Sequence, residues 1–506
     1  MRKLLVLVLA VVFSAASFAA MAAETSFSGT YRVRAYNEYN FEKKWEEISS
    51  PLPSHENAQY DGWFDQRFRL TITHTRSDFL KAVIRMDIVE DTWGQQRNLL
   101  MNNSNTDFIN LAYIEFTLPQ IGTFTVGKFN ETYGYGLAFS DEGDGTIGLT
   151  GARWANAWGP VAASVLYAKV KDNVIAVGTW NRAYNWDADL YAGNLKVTPA
   201  ENHLIELFGG AVIDSDADDN DVAFGVADGT LRNSYSFNWN GGGIYSAVIG
   251  FWGVAYTGAI ADMIDIRLEN SWIYGHATWI SKVPRGVSSP NSDPDSLTIS
   301  GWNIYADVSY YNDLFRVGLA FIMGSGQHHW WNDISTKNIN MNYISQDEFA
   351  FNNILVNGGG GTNSIWGGGL YGQDMIENIT AVKLYFEICP MDKLTLNASV
   401  TWAKWTEEVG TNTMGDRANI VTAKGSAYPH PAAQYGTYPY HSWDASDDLG
   451  WELDFGFSYE IMEGLTYTLG VGVLFTGDSW DYEMADGTRG DWGEIWSISN
   501  QLLYEF

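Results

Sequence analysis

The sequence predicts an all-β chain: a transmembrane antiparallel β-barrel of about 18 strands, with 16 as the alternative count. Three observations carry this. Apolar and polar residues alternate with period two in runs of about nine to thirteen residues. The connections between the runs alternate between short and long. Aromatic residues make up 15% of the chain, with 51 Gly and only 12 Pro, and no linker-like tract divides it. A bilayer offers no water to backbone groups, so a sheet that crosses it must close on itself.

The first element is a leader. "MRKLLVLVLAVVFSAASFAAMAAE" sets Arg2 and Lys3 before an apolar run and ends in Ala20-Met21-Ala22. That is the pattern of a cleaved secretory signal peptide, expected over residues 1–23, with one barrel domain over 24–506. Without Arg2 and Lys3, 28 basic residues face 60 acidic ones, a net charge of −32. Such a surface repels nucleic acid, so no nucleic-acid partner is expected. Cys389 is the single cysteine, which excludes an intrachain disulfide.

The strands follow. In "LTYTLGVGVLF", Leu465, Tyr467, Leu469, Val471, Val473 and Phe475 share one face, while Thr466, Thr468, Gly470 and Gly472 share the other. "LTLNASVTW" and "WNIYADVSY" do the same, and in "MIDIRLENSW" Ile264, Ile266 and Leu268 oppose Asp265, Arg267 and Glu269. "IYSAVIGFWGVAYTGAI" (244–260) is uncharged, but its glycines and β-branched residues favour a strand over a helix. Runs of this length suit strands that cross a bilayer at a tilt. With apolar side chains toward lipid and polar ones toward the lumen, no strand is expected to be apolar on both faces. Eight short connections, such as "LPQIG", "WGP" and "MEG", alternate with nine long polar ones, which gives 18 strands. Short periplasmic turns and long extracellular loops are the mark of an outer-membrane barrel.

The chain resembles the Gram-negative outer-membrane porins. The resemblance lies in the leader, in "WFDQRFRLTI" followed by "KAVIRMDI", in "AYIEFTLPQIGTFTVGKF", and in a terminal strand ending at Phe506. Within that group it is similar to the trimeric porins of sulfate-reducing bacteria, with a second resemblance to the 18-strand alginate-export barrels. The resemblance implies a passive channel for small hydrophilic solutes and ions, set in outer-membrane lipid. It also implies a homotrimer and a long loop folded into the lumen, here at about 129–145. A terminal aromatic strand, with Tyr504 and Phe506, would be read by the barrel-assembly machinery.

Candidate functional residues begin with a charge asymmetry. Residues 24–100 hold 10 basic and 12 acidic side chains, whereas the rest of the chain holds 18 and 48. Alternation turns Arg32 and Arg34, Arg67 and Arg69, and Lys81 and Arg85 inward on the first three strands. Arg32, Arg34, Arg67, Arg69 and Arg85 then form a wall at mid-barrel depth. "NETYGYGLAFSDEGDG" carries Glu131, Asp141, Glu142 and Asp144, expected to face that wall across a constriction. The alternative is a lumenal ladder in which the arginines pair locally with Asp65 and Asp87. Asp265, Glu269, Asp307, Glu387 and Asp454 are further inward acids and lean the channel toward weak cation preference.

Other signals are weaker. Asp214, Asp216 and Asp218 have calcium-loop spacing but lack the Gly and Glu that complete it, so at most an adventitious Ca2+ is expected there. His328 and His329 are adjacent, which sends them to opposite faces of a strand. No cofactor is expected. No G-x-S-x-G or H-E-x-x-H is present, and the chain is read as a non-enzyme. The rival readings are an oligosaccharide-specific channel with Trp330, Trp331, Trp366 and Trp443 stacking on sugars, and, further off, an outer-membrane enzyme, an adhesin or a cytochrome sheath.

Overall fold

A computed structural model of the chain describes residues 23–39, 60–93, 109–140, 148–173, 186–214, 243–280, 295–326, 338–340, 344, 351–355, 376, 378–407, 446–480, 482–483, 489–490 and 493–506. The leader expected at 1–23 lies outside them, apart from Ala23. Eighteen strands form the barrel. They are β1 (Glu24–Tyr39), β2 (Tyr60–Ser77), β3 (Leu80–Thr92), β4 (Ile109–Leu118), β5 (Gly122–Phe129) and β6 (Leu149–Trp158). Next come β7 (Val161–Asn173), β8 (Trp186–Ala200), β9 (His203–Asp214), β10 (Gly243–Ile260), β11 (Ile264–Ile280) and β12 (Asp295–Tyr311). The last six are β13 (Phe315–Gly324), β14 (Ile379–Met391), β15 (Leu394–Trp405), β16 (Asp448–Met462), β17 (Leu465–Thr476) and β18 (Glu494–Glu505).

Each strand pairs antiparallel with the next, and β18 pairs with β1, Tyr504 opposite Tyr31 and Gln501 opposite Arg34. The ladder therefore has no open edge. Short turns join the strands at one end. In one of them Gly464 has φ +77°, a left-handed conformation open to glycine. A three-residue strand, Asn338–Asn340, lies parallel to Thr298–Ser300 at the other end of β12.

The dress of the barrel is inverted relative to a water-soluble protein. Leu319, Leu384 and Phe455 point outward at 55%, 55% and 56% exposure. Glu452 and Asp454, on the same strand as Phe455, point inward and are buried. An apolar band of this size is unfavourable in water and favourable in hydrocarbon, so the barrel is a membrane-spanning one. Aromatic pairs ring its two ends: Phe116–Phe124 and Phe315–Phe386 near the short turns, with centroids 5.3 and 6.0 Å apart, and Phe64–Trp93 at the opposite end, 5.1 Å apart. Asn500 is the polar exception on the outer face of β18, and Tyr467 donates a 2.6 Å hydrogen bond to its carbonyl.

Phe506 completes the seam. Its amide donates to the Gly29 carbonyl (3.1 Å), and the Gly29 amide donates to the Phe506 carbonyl (3.0 Å). The Phe506 ring stacks near Tyr504 and Phe68. A Cβ at position 29 would stand 2.8 Å from that ring, so glycine leaves room for it.

The expectation that no strand is apolar on both faces fails at β10. β10 is apolar on both faces: Val248, Trp252 and Val254 are exposed to the outside, while Ile249 and Phe251 are buried inside. The inward apolar face is not wet, because a segment of chain lies across it.

Candidate functional site: a lumen narrowed by two in-folded segments

The lumen face of β1–β3 carries the basic wall. Arg32 and Arg67 are direct partners in the β1–β2 register, and both are buried. Two arginine heads side by side repel each other, so the flanking positions matter. Arg34 pairs with Asp65 (2.8 Å), and Arg69 grips Asp87 with two hydrogen bonds (2.6 and 2.8 Å). Arg85 sits opposite Thr71 on the same face. Lys81 is nearer the short turns and pairs with Glu115 at 2.8 Å. The local pairing with Asp65 and Asp87 is thus present in the geometry.

The first in-folded segment is 130–140, which follows β5. Tyr133, Leu137, Ala138 and Phe139 are all buried. A turn holds the segment together: the Gly136 amide donates to the Tyr133 carbonyl (3.0 Å), and Thr132 and Ser140 are bridged. Tyr133 packs between Phe139, Phe208 of β9 and Phe251 of β10. The Tyr135 amide donates to the Glu269 carboxylate of β11. Its hydroxyl lies 2.6 Å from Thr257 Oγ1, and Asn303 of β12 donates to the Leu137 carbonyl (3.2 Å). The segment therefore rests on β9–β12.

Glu131 has a different partner from the one expected. Its carboxylate takes a 2.7 Å bond from Arg153 of β6, and its other charged neighbours are Lys196 and Glu206. It sits one turn from the end of β5, so the cation of the next strand is within reach and the wall on β1–β3 is not. Burial raises its carboxyl above the ordinary range, and Arg153 pulls it part of the way back. Asp141, Glu142 and Asp144 lie outside the described residues.

The second in-folded segment, 351–355, was not foreseen. It belongs to the long connection between β13 and β14, and Phe351, Ile354 and Leu355 are buried. Glu452 of β16, at 0% exposure, accepts the Ile354 amide (2.6 Å) and the Leu355 amide (2.9 Å). Lys383 of β14 donates to the Phe351 carbonyl and lies over the Phe351 ring. Each in-folded segment is thus tied by backbone N–H groups to a wall carboxylate, Glu269 for the first and Glu452 for the second. A buried carboxylate is costly unless its oxygens are bonded, and the loop amides meet that need.

The long connection that carries the second segment also meets the first. The Ile344 amide donates to the Ala138 carbonyl (2.8 Å), and Leu137 joins the apolar cluster that holds Phe351, Ile354 and Leu355. Three of the other inward acids have local partners. Asp265 pairs with Arg316 (3.0 Å), Asp307 accepts the Tyr385 hydroxyl (2.8 Å), and Asp454 accepts Ser399 (2.9 Å). Glu387 faces a lumenal recess beneath the second segment. Sequence reasoning passed over Arg153, Arg316, Lys383 and Glu452. The available signal was inward parity: Glu452 and Lys383 alternate with lipid-facing neighbours just as Asp454 and Glu387 do.

Among the described residues, no three His, Cys, Asp or Glu side chains are grouped to hold a metal ion. Asp214 ends β9, while Asp216, Asp218, His328, His329, Trp330, Trp331, Trp366 and Trp443 lie outside the described residues.

No family model matches the chain, and no curated protein matches it. Solved structures do. The Pseudomonas aeruginosa OpdQ structure aligns over 95% of this chain and 97% of its own, at 9% identity and TM-score 0.48. Acinetobacter baumannii OccAB1 aligns over 95% and 97%, at 10% identity and TM-score 0.46. The outer membrane channel DcaP of Acinetobacter baumannii aligns over 96% and 97%, at 12% identity and TM-score 0.36.

Proposed function

We propose that this chain is an integral outer-membrane channel through which small hydrophilic solutes and ions diffuse passively. The observation that carries this reading is a closed 18-strand barrel whose outside is apolar and whose lumen is charged and narrowed. Barrels of 16 to 18 strands are wide enough for an aqueous path. Two in-folded segments reduce that path to a passage lined by the basic wall on one side and by loop backbone and acids elsewhere. Solutes are filtered there by width and by charge of both signs. No bond is made or broken in this reading, and no cofactor takes part. The excess of acid over the whole chain favours weak cation preference.

Single-channel recording in a planar bilayer tests the proposal. Purified protein is expected to give stepwise conductance, with a small reversal potential of cation-selective sign in a KCl gradient. A protein that inserts and gives no steps would overturn it. The homotrimer belongs to the same reading and rests on the sequence resemblance; light scattering of the detergent-solubilised protein, corrected for bound detergent, tests it by mass.

A further inference from the structure

Beneath the second in-folded segment lies a recess of about 430 Å³, walled by the lumen faces of β11–β16 and roofed by Phe351–Asn353. Its size falls in the range of small-molecule clefts, roughly 300–1,000 Å³. Its charges balance: Arg267, Arg316 and Lys383 against Asp307, Glu387 and Asp454. Four of the six are already engaged. Arg316 pairs with Asp265, and Lys383 donates to the Phe351 carbonyl. Asp307 accepts the Tyr385 and Tyr305 hydroxyls (2.8 and 3.2 Å), and Asp454 accepts Ser399.

Three lining groups are left over. Arg267 stands opposite Asp307 and Glu387 opposite Arg316 in the strand registers, yet among the described residues the side chains of Arg267, Glu387 and Asn397 make no hydrogen bond or ion pair. They offer a planar fork of donors, a pair of acceptors, and an amide that is both. The rings of Tyr305 and Tyr385 add flat apolar surface beside them. An anion entering the recess meets Glu387 and two engaged carboxylates. A cation meets Arg267 and two engaged cations. An apolar solute leaves three polar groups unsatisfied, which is unfavourable. A ring bearing several hydroxyls both donates and accepts, carries no charge, and has an apolar face for the tyrosines.

We propose that this recess is a subsite for an uncharged polyhydroxylated solute of mono- or disaccharide class, a reading that rests on the channel function above. The subsite lies on the wall of the passage, so an occupant would obstruct ion flow.

The test uses the full chain in planar bilayers with maltose as the probe, against gluconate, glucosamine and glycylglycine as anionic, cationic and zwitterionic counterparts. Maltose is expected to reduce the ion current saturably, with half-block at a concentration about fivefold or more below that of each charged probe. Asn397→Ala and Glu387→Gln are each expected to raise the maltose half-block concentration about fivefold. Glu201→Gln, in an exposed short turn, is expected to leave it in place. Absence of saturable block, or tighter block by a charged or zwitterionic probe, overturns the subsite while leaving the channel standing. Absence of any stepwise conductance overturns the channel reading. In that event, calorimetry of maltose with the detergent-solubilised chain decides the subsite, and no heat of binding overturns it.

Discussion

Glu452 shows what a single side chain does in this lumen. It is fully buried, and each of its oxygens takes one loop amide, Ile354 at 2.6 Å and Leu355 at 2.9 Å. Glu452→Gln would turn an NH2 group toward one of those amides. One bond is lost and two donors face each other in a buried place, at a cost of about 1–3 kcal/mol. The expected outcome is a folded barrel whose second segment is released for part of the time. Single-channel traces should show added openings of higher conductance, and traces identical to those of the parent protein would count against the tether. The inward direction of Glu452 was legible, since Glu452 and Asp454 share parity on one strand. Its partner was not, because that partner lies 98 residues earlier in a connection with no periodicity to read.

At the scale of elements, β10 is the instructive case. Its glycines and β-branched residues pointed to a strand despite 17 uncharged residues, and its ends fell at Gly243 and Ile260. The expectation that each strand would have a polar lumen face failed on it. Ile249 and Phe251 face inward because segment 130–140 covers them with Tyr133 and Phe139. A strand apolar on both faces in a barrel of this kind is therefore a mark of where a loop docks. Tyr133→Ala would remove the ring from between Phe139, Phe208 and Phe251, a loss of about 3–5 kcal/mol for a buried aromatic. The barrel strands would remain, since they are held by their own ladder. Protease added to the folded protein is expected to cut within 130–140 in the variant and to spare the parent there; equal resistance would refute this account of docking.

At the scale of the whole molecule, closure is the governing fact. The count of 18 strands and eight short turns was legible, because turn chemistry and period two are local. The position of the seam was legible in part: the last strand had to meet the first, but the pairing of Phe506 with Gly29 depends on register, which a sequence states only through its neighbours. Deleting Phe506 removes two backbone hydrogen bonds and a ring stacked near Phe68 and Tyr504. The fraction of chain that reaches the membrane as a folded, heat-modifiable barrel is expected to fall severalfold. The conductance of the channels that do form is expected to match that of the parent. A reduced unit conductance with normal assembly would contradict the seam role. The path of the in-folded segments was the least legible part, because their anchors are scattered over β6, β9–β12, β14 and β16.

The contact between the two segments has a kinetic meaning. Ala138 of the first bonds to Ile344, in the same long connection as the second, and Leu137 of the first shares an apolar cluster with Phe351, Ile354 and Leu355 of the second. Displacing either one uncovers apolar surface on the other, so their excursions share a free energy and are not independent. A recorder watching one pore would then see no two unrelated flickers with multiplied probabilities. It would see correlated bursts, in which the departure of one segment lengthens the absence of the other.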